Sequence, residues 1–290
     1  MTAPLTNERR LPGSLFGPGV PPSQIPACLY VDGDGDIDWN APRVAIVGTR
    51  GCSPLGVADA HRIAYVAAAH GAVVISGMAR GIDAAAHRGA LAAAGMTVGV
   101  LATGLDVEYP ATNRALYREM RERGQLITEH PLGTRPTPWR FPERNRIIAG
   151  LADVIVVVEA KLTGGAMITA NLGFQFDRQV MAVPGRPRDA LAQGPNALIG
   201  DGAWTIQDPA DVAYLAGSGD IAPVGWEVPG TVIAPEVRKV LDVCNGEPAT
   251  VDRIADHLDL PLLEVVKLIN TGVRVGALGR SRGLIWPLAG

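Results

Sequence analysis

With 290 residues, of which 47% are apolar, the chain is long enough to bury the core of one large domain or of two modest ones. Its net charge of −3 and its pI of about 6.0 exclude attraction of polyanions by the field of the whole molecule, so a polyanion site has to be a local patch. The three cysteines and five histidines are scattered and no run of about 18 apolar residues occurs, which argues against a disulfide framework, a zinc site and a membrane span and favours a cytoplasmic protein.

The pattern of apolar residues predicts a long α/β segment. Residues 1–42 are rich in proline, glycine and aspartate and predict an irregular N-terminal extension with one candidate strand, "ACLYV". From residue 43 to residue 217, short β-branched runs such as "RVAIVG" alternate with alanine-rich helical stretches. Runs that are apolar at successive positions are typical of strands buried on both faces of a parallel sheet. Residues 43–217 are therefore predicted to form a doubly wound α/β domain around a mostly parallel sheet.

The C-terminal part of the chain has a different pattern. Residues 218–231 contain several glycines and prolines and predict a linker. Residues 232–290 contain three amphipathic helical segments and then two short strands, which is the order of a winged-helix domain. From residue 233 onward the sequence has seven basic and seven acidic residues. Because this segment has no net positive charge, a protein contact or a packing role is favoured over DNA binding.

The first candidate site is the motif "GTRGCSPLG", which follows the first strand of the predicted sheet. Gly48 permits a tight turn, and Thr49 and Arg50 offer a hydroxyl and a guanidinium group. Ser53 and Pro54 suit the N-cap and the first position of a helix, whose free amides attract anions. The motif differs from the GxGxxG of dinucleotide sites, since Arg50 stands where the backbone has to come close to the ligand. An ordinary turn between a strand and a helix would also use these residues.

Two further strand-to-helix crossings have similar features. In "SGMARGIDAAAHRGAL" (76–91), Arg80 is a candidate phosphate ligand, and Asp83 either orients it or caps the helix. In "GGAMITANLGF" (164–174), two glycines and Thr169 indicate another helix start that accepts anions, although the glycines equally suit close packing of a helix on the sheet. Ligands of open α/β sheets bind beyond the carboxyl ends of the strands, so we expect these crossings to lie along one edge.

The stretch "RPTPWRFPERNRII" combines arginines with aromatic residues. Arg140, Arg144 and Arg146 can form bidentate contacts with phosphates, and Phe141 or Trp139 can stack under a base. A surface loop with salt bridges is the alternative. Several anion sites and aromatic rings along one sheet edge favour single-stranded nucleic acid, which offers repeated phosphates and unpaired bases.

Taken together, these segments resemble the DNA-processing protein A family (DprA, also called Smf). The motifs that carry the resemblance are "VAIVGTR", "SGMARGIDAAAHRGAL", "GLDVEYPATN", "FPERNRIIAGLAD", "GGAMITA", "MAVPG" and "GPNALIGDGA", within residues 43–206. The resemblance implies that the doubly wound sheet is an extended Rossmann-like fold. It implies a homodimer that binds single-stranded DNA independently of sequence, protects it and delivers it to a RecA-type recombinase in natural transformation. It also implies no enzymatic activity, no catalytic residue, no metal or cofactor, and no membrane attachment.

The resemblance assigns the DNA contacts by position within these motifs. The assigned residues are Gly48, Thr49, Arg50, Ser76, Gly77, Arg80, Gly81, Phe141, Arg144, Asn145, Arg146, Gly165 and Thr169, to which the arginine cluster adds Arg140. Family members usually have serine in place of Thr49, and a basic residue and serine in place of Thr163 and Gly164. We therefore expect fewer polar contacts from the last loop. The residues ahead of the sheet are not expected to form the helical domain that many members carry there.

The sequence leaves two other functions open. A nucleotide hydrolase related to the cytokinin-activating phosphoribohydrolases would use a similar sheet, but "TGGAMITA" lacks the proline and the glutamate of their phosphate loop. A sensor that binds a free nucleotide and signals through the winged helix would prefer a mononucleotide to an oligonucleotide.

Overall fold

The structure, a computed structural model, describes residues 9–11, 15–217, 222–226, 235–244, 247–274, 278–281 and 283–287. Within these ranges, a nine-stranded sheet and the helices on its faces form most of the chain. Its strands are β1 (Arg9–Leu11), β2 (Leu29–Asp32), β3 (Arg43–Val47), β4 (Val73–Gly77), β5 (Thr97–Val100), β6 (Gln125–Thr128), β7 (Val154–Val157), β8 (Gln179–Ala182) and β9 (Trp204–Thr205). The helices are α1 (Pro54–Ala69), α2 (Ile82–Ala92), α3 (Arg114–Arg123), α4 (Arg140–Leu151), α5 (Gly165–Gln175), α6 (Gln193–Gly200) and α7 (Ala210–Leu215).

The strand order of the sheet is β1-β2-β6-β5-β4-β3-β7-β8-β9. The strands from β3 to β9 pair parallel with one another, whereas β2 pairs antiparallel with both β6 and β1. The prediction of a mostly parallel, doubly wound α/β sheet is therefore confirmed. The order reverses between β3 and β7, which lie side by side although they are far apart in the sequence. In a sheet of this kind, a crevice opens beyond the carboxyl ends of the two strands.

Both faces of the sheet are covered by helices. Along β3, Val44 and Ile46 belong to the core that contains α1 and α2, whereas Ala45 and Val47 belong to the core that contains α4 and α5. This alternation follows from the two-residue period of a strand. Strands with apolar residues on both sides thus require helices on both sides, as the sequence predicted.

The segment predicted as an irregular extension supplies two strands to the sheet. The candidate strand "ACLYV" contains the start of β2, which pairs antiparallel with β6, and β1 pairs with β2. Leu29 and Val31 are buried, and the Asp32 carboxylate accepts a hydrogen bond from Arg121 Nε at 2.8 Å. Pairing between segments so far apart leaves no periodic signal in the sequence, so the strand could be predicted but its place in the sheet could not.

The residues described from Pro235 onward form three helices and a small antiparallel sheet. These elements are α8 (Pro235–Cys244), α9 (Val251–Leu258), α10 (Leu262–Arg274), β10 (Ala249–Thr250), β11 (Leu278–Ser281) and β12 (Leu284–Pro287). The described residues thus contain the three helices and the two final strands expected for residues 232–290, and a short strand, β10, stands between the first two helices. Most of the predicted linker, residues 218–231, lies outside the described residues. Among the helices that the structure describes, none is both long and apolar enough to cross a bilayer.

Residues 222–226, the described part of that linker, are bound to the sheet domain. Arg62 of α1 donates hydrogen bonds to the carbonyl groups of Val224 (2.9 Å) and Gly225 (3.0 Å). The Asp208 carboxylate accepts hydrogen bonds from the backbone amides of the same two residues at 3.1 and 2.7 Å. Trp226 Nε1 donates to the Gln207 carbonyl at 3.1 Å. The chain is therefore fixed beside α1 at this point.

Candidate nucleic-acid interface

A groove of about 550 Å³ opens beyond the carboxyl ends of β3 and β7. Its lining contains many of the residues predicted to contact DNA: Gly48, Thr49, Arg50, Phe141, Arg144, Asn145, Gly165 and Thr169. A smaller pocket of about 170 Å³ adjoins the groove, shares Arg50, Phe141 and Arg144 with it, and is also lined by Arg80. The crossings after β3 and β4 and the start of α4 therefore bring arginines to one edge of the sheet.

Arg50 and two aromatic rings border both the groove and the pocket. The guanidinium carbon of Arg50, which is exposed, lies 4.8 Å from the centre of the Phe141 ring in a cation–π arrangement. The ring of Tyr109 lies 5.6 Å from that of Phe141 at an interplanar angle of 46°. This arrangement places a guanidinium group, which is suited to phosphate, next to aromatic rings, which are suited to stacking on bases.

The carboxylate of Glu159 is hydrogen-bonded to the N-terminus of α1. Ser53 is the N-cap, as predicted, and its hydroxyl oxygen accepts a hydrogen bond from the Gly56 amide at 3.0 Å. The carboxylate of Glu159, which follows β7, accepts hydrogen bonds from the Ser53 amide at 2.8 Å and from the Ser53 hydroxyl at 2.5 Å. The anion at this helix start is therefore Glu159, which would repel a phosphate. Thr49 and Arg50 are the part of this crossing that lines the groove.

Asp59 in α1 interacts electrostatically with Glu159. Burial, and then the charge of Glu159, raises the pKa of Asp59 from the ordinary 3.8 to about 7. Because the folded-state pKa is above the unfolded-state pKa, this group lowers the stability progressively as the pH rises from about 3.8 to about 7.

We expect Asp59→Asn to raise the free energy of unfolding near neutral pH, because the amide does not ionise. Between about pH 3.8 and pH 7, the free energy of unfolding of the variant should fall less steeply than that of the wild-type protein. Urea denaturation of both proteins at about pH 4.5 and about pH 7.5 measures the change. An identical decline in the two proteins would show that Asp59 is not the group that titrates.

Arg144 lies at the floor of the groove with 5% of its surface exposed. Its guanidinium donates to the Val100 carbonyl, and its Nε–H donates to Asn145 Oδ1 at 3.4 Å. Gly77 packs so closely against this guanidinium that a Cβ atom there would overlap it. Burial raises the pKa of Asp83 to about 6, and the charge of Arg144 acts in the opposite direction. The floor of the groove is thus a cation held in a fixed position, with a carboxyl group beside it.

Other residues predicted from the second crossing lie beneath the groove. Ser76 is fully buried, and its hydroxyl donates to the Ile46 carbonyl at 2.6 Å. Gly81 has a φ of +79°, and a Cβ atom there would lie 2.5 Å from the Thr49 carbonyl oxygen, so only glycine fits. These residues hold the first and second crossings together, and Arg80 is exposed beside the smaller pocket.

Arg140 and Arg146 lie outside the groove lining. Arg146 forms an ion pair with Glu129 at 2.6 Å. The guanidinium carbon of Arg140 lies 4.7 Å from the centre of the Trp139 ring, and its Nη1 donates to the Arg135 carbonyl at 2.7 Å. Because α4 has about 3.6 residues per turn, the sequence neighbours of its groove-lining residues point to other sides of the helix.

Tyr109 and Lys161 line the groove although neither was predicted to do so. Tyr109 is 41% exposed and also borders the smaller pocket. The motif "GLDVEYPATN" contains Tyr109, but nothing near it in the sequence shows that its ring reaches Phe141. Lys161 lies in the crossing between β7 and α5, and a basic residue just beyond the carboxyl end of a predicted strand is a signal that could have found it.

The open α/β sheet places the chain in the Rossmann-like class, and the basic side chains and aromatic rings at its reversal point are suited to a ligand that carries phosphates. The comparison with known families is more specific. Residues 20–216 match the family model described as DNA recombination-mediator protein A, and the chain belongs to this family.

Curated relatives and solved structures agree with this assignment. A DprA protein of Mycobacterium tuberculosis is 39% identical over 242 residues, which cover 81% of this chain and 62% of that protein. DprA of Streptococcus pneumoniae is 38% identical over 64% of this chain and 66% of its own length. The chain thus spans less than two thirds of the length of these relatives.

Two solved structures resemble the fold. The X-ray structure of the S. pneumoniae protein has a TM-score of 0.64 and 33% identity, over 72% of this chain and 75% of that chain. A Helicobacter pylori DprA structure, described for its single-stranded DNA binding mode, has a TM-score of 0.61 and 29% identity, over 68% of this chain and 90% of that chain.

Proposed function

We propose that the groove and the adjoining pocket bind single-stranded DNA without reading its sequence. The observation that carries this proposal is the convergence of Arg50, Arg80 and Arg144 beside the rings of Tyr109 and Phe141. Guanidinium groups bind phosphates whatever the bases, and aromatic rings stack on every base. The binding mode studied in the H. pylori relative supports the same class of ligand.

Single strands should bind more tightly than duplexes. In a duplex the bases are stacked on one another, so the rings of Tyr109 and Phe141 would find no free base face. The net charge of the chain is −3, so outside the local patch a duplex gains little electrostatic attraction. Gel shifts with single-stranded and double-stranded oligonucleotides of the same sequence test this preference directly, and equal affinities would contradict it.

We also propose that binding serves DNA processing. The protein would protect single strands and deliver them to a RecA-type recombinase during DNA uptake and transformation, acting as a homodimer in the cytoplasm. Membership of the DNA recombination-mediator protein A family supports this role. Recombinase filament assembly on single-stranded DNA, with and without the protein, tests the delivery step, and analytical ultracentrifugation tests the dimer.

Mononucleotide titration separates this proposal from the two alternatives. A nucleotide sensor should bind a nucleoside monophosphate more tightly than an oligonucleotide, because it has no use for further phosphates. A hydrolase should release free base from the monophosphate, which chromatography detects. Tight binding of oligonucleotides, weak binding of the monophosphate and no released base are the results that the proposal requires.

Arg50→Ala should weaken binding to the same extent for every base composition and should make it less sensitive to salt. Each phosphate neutralised on a single strand contributes about −0.7 to the slope of log K against log salt concentration, so losing one contact should reduce the steepness by about that amount. Fluorescence-anisotropy titrations of homopolymeric strands at several salt concentrations measure both effects.

Arg118→Ala provides the control for Arg50→Ala, because Arg118 is exposed on α3 and lies outside the lining of the groove. Its salt slope should equal that of the wild-type protein. If Arg50→Ala left both affinity and slope unchanged, Arg50 would not be a phosphate ligand.

A further inference from the structure

The loop that carries Tyr109 is hydrogen-bonded to side chains of α3. It runs from the end of β5 to Pro110, and its residues line one side of the smaller pocket. Within the loop, Thr103 Oγ1 donates to the Val107 carbonyl at 2.9 Å. Tyr117 and Arg121, one turn apart on α3, both donate hydrogen bonds to backbone carbonyl groups of the loop.

Tyr117 holds the backbone of Tyr109 at two atoms. Its ring is fully buried, and its hydroxyl donates to the Tyr109 carbonyl at 2.9 Å and accepts from the Tyr109 amide at 3.3 Å. Burial raises the pKa of Tyr117 to about 12, so the hydroxyl keeps its proton at neutral pH. One phenol group thereby satisfies both polar groups of the residue whose side chain faces the groove.

Arg121 fixes the preceding part of the same loop. Its Nη2 donates to the Leu105 carbonyl at 3.1 Å, and its Nη1 pairs with the Glu108 carboxylate at 2.6 Å. Its Nε pairs with Asp32 at 2.8 Å, and its guanidinium carbon lies 5.8 Å from the centre of the Tyr117 ring. Tyr117 is thus packed against Arg121, which is itself held in place by Leu105, Glu108 and Asp32.

We propose that Tyr117 is a positioning residue for nucleobase stacking, which it controls by setting the ring of Tyr109 against Phe141. The inference rests on the proposed function, because it concerns how the groove holds the bases of a single strand. Tyr117 also lines the smaller pocket, but its ring is fully buried, so it acts on the bases through Tyr109. Without its hydroxyl, the Tyr109 backbone loses both partners, and the ring no longer has a fixed distance to Phe141.

Tyr117→Phe isolates this role, since it removes one oxygen atom and keeps the buried ring. The probes are an oligothymidylate strand and a strand of equal length in which abasic spacers replace the nucleosides. Loss of the two hydrogen bonds should weaken oligothymidylate binding about 3- to 10-fold. Binding of the abasic strand should not change, and the salt slope should stay the same, because the phosphate ligands are intact.

Two further variants complete the test. Tyr214→Phe removes the hydroxyl of an exposed tyrosine on α7 and should bind both strands like the wild-type protein. Tyr109→Ala changes an exposed residue, so it tests the same role even if Tyr117→Phe does not fold. It should also weaken binding of the base-bearing strand and leave binding of the abasic strand unchanged. Adding Tyr117→Phe to Tyr109→Ala should cause no further loss, since Tyr117 acts through the ring that is already absent.

The outcomes separate this inference from the proposed function. If the wild-type protein does not bind either strand, the proposed function fails and the inference fails with it. If the wild-type protein binds but Tyr117→Phe weakens both strands equally or neither, the inference alone is wrong. The inference also fails if Tyr109→Ala binds the base-bearing strand as tightly as the wild-type protein.

Discussion

Arg144→Ala is expected to cause the largest loss of affinity for single-stranded DNA, about 2–5 kcal/mol or roughly 30-fold and more in Kd. Arg144 is buried at the floor of the groove, where water screens its charge least. Its removal takes away the cation at the floor and leaves the buried Asp83 carboxyl without its stronger counter-charge, so that the weaker one, Arg50, remains. Fluorescence anisotropy with a labelled oligonucleotide measures the loss.

Arg146→Ala is the matched control, because it removes the same side chain two residues further along α4. Arg146 is paired with Glu129 and lies outside the groove lining, so its loss should change the affinity little. Circular dichroism and urea denaturation establish that both variants are folded. Arg144→Lys, which keeps the charge but not the planar fork, should recover part of the affinity. If Arg146→Ala and Arg144→Ala were equally impaired, the assignment of the groove would be wrong.

Gly89→Ala should destabilise the protein more than substitutions at the groove, by about 1–3 kcal/mol or more. Gly89 of α2 faces α1, and a Cβ atom there would lie 2.9 Å from the His61 carbonyl carbon and 3.0 Å from the Ala64 Cβ. A helix backbone cannot yield as a flexible side chain does, so the substitution would force α1 and α2 apart. The urea midpoint and its slope measure the change in the free energy of unfolding.

Gly165→Ala tests whether the effect belongs to the contact and not to glycine as such. A Cβ atom at Gly165, the first residue of α5, would meet no atom within 4 Å, so stability should be unchanged or slightly higher. Gly165 lines the groove, so the same variant should bind DNA more weakly if a phosphate approaches this backbone. Equal stability of Gly89→Ala and the wild-type protein would contradict the close approach of α1 and α2.

The regular elements of the sheet could be predicted because their signals are local. The run "RVAIVG" predicts a strand and is β3, and Ser53 predicts the start of α1. Residues at the ends of predicted strands, such as Arg50, were correctly expected to lie at one edge, since parallel strands share the direction of their carboxyl ends. The short elements α7 and β9 have too few residues for a periodic pattern to show.

The sequence did not predict which side of α4 faces the groove, nor which residues far apart in the chain are in contact. The sequence shows Arg144 and Arg146 as equal members of one cluster, but helical geometry directs the first to the groove and the second to Glu129. The carboxylate at the start of α1 comes from Glu159, which no local pattern connects with Ser53. Tyr109 was missed for the same reason, because its partner Phe141 lies on another element.

The attachment of residues 222–226 beside α1 limits how far the C-terminal helices can move from the sheet. Nine peptide links lead from Trp226 to Pro235, and a fully extended chain of that length spans roughly 30 Å. The short tether therefore keeps the C-terminal unit at an effective concentration on the order of millimolar relative to the sheet domain of the same molecule. At that concentration, a contact between the two units forms within one molecule more readily than between separate molecules.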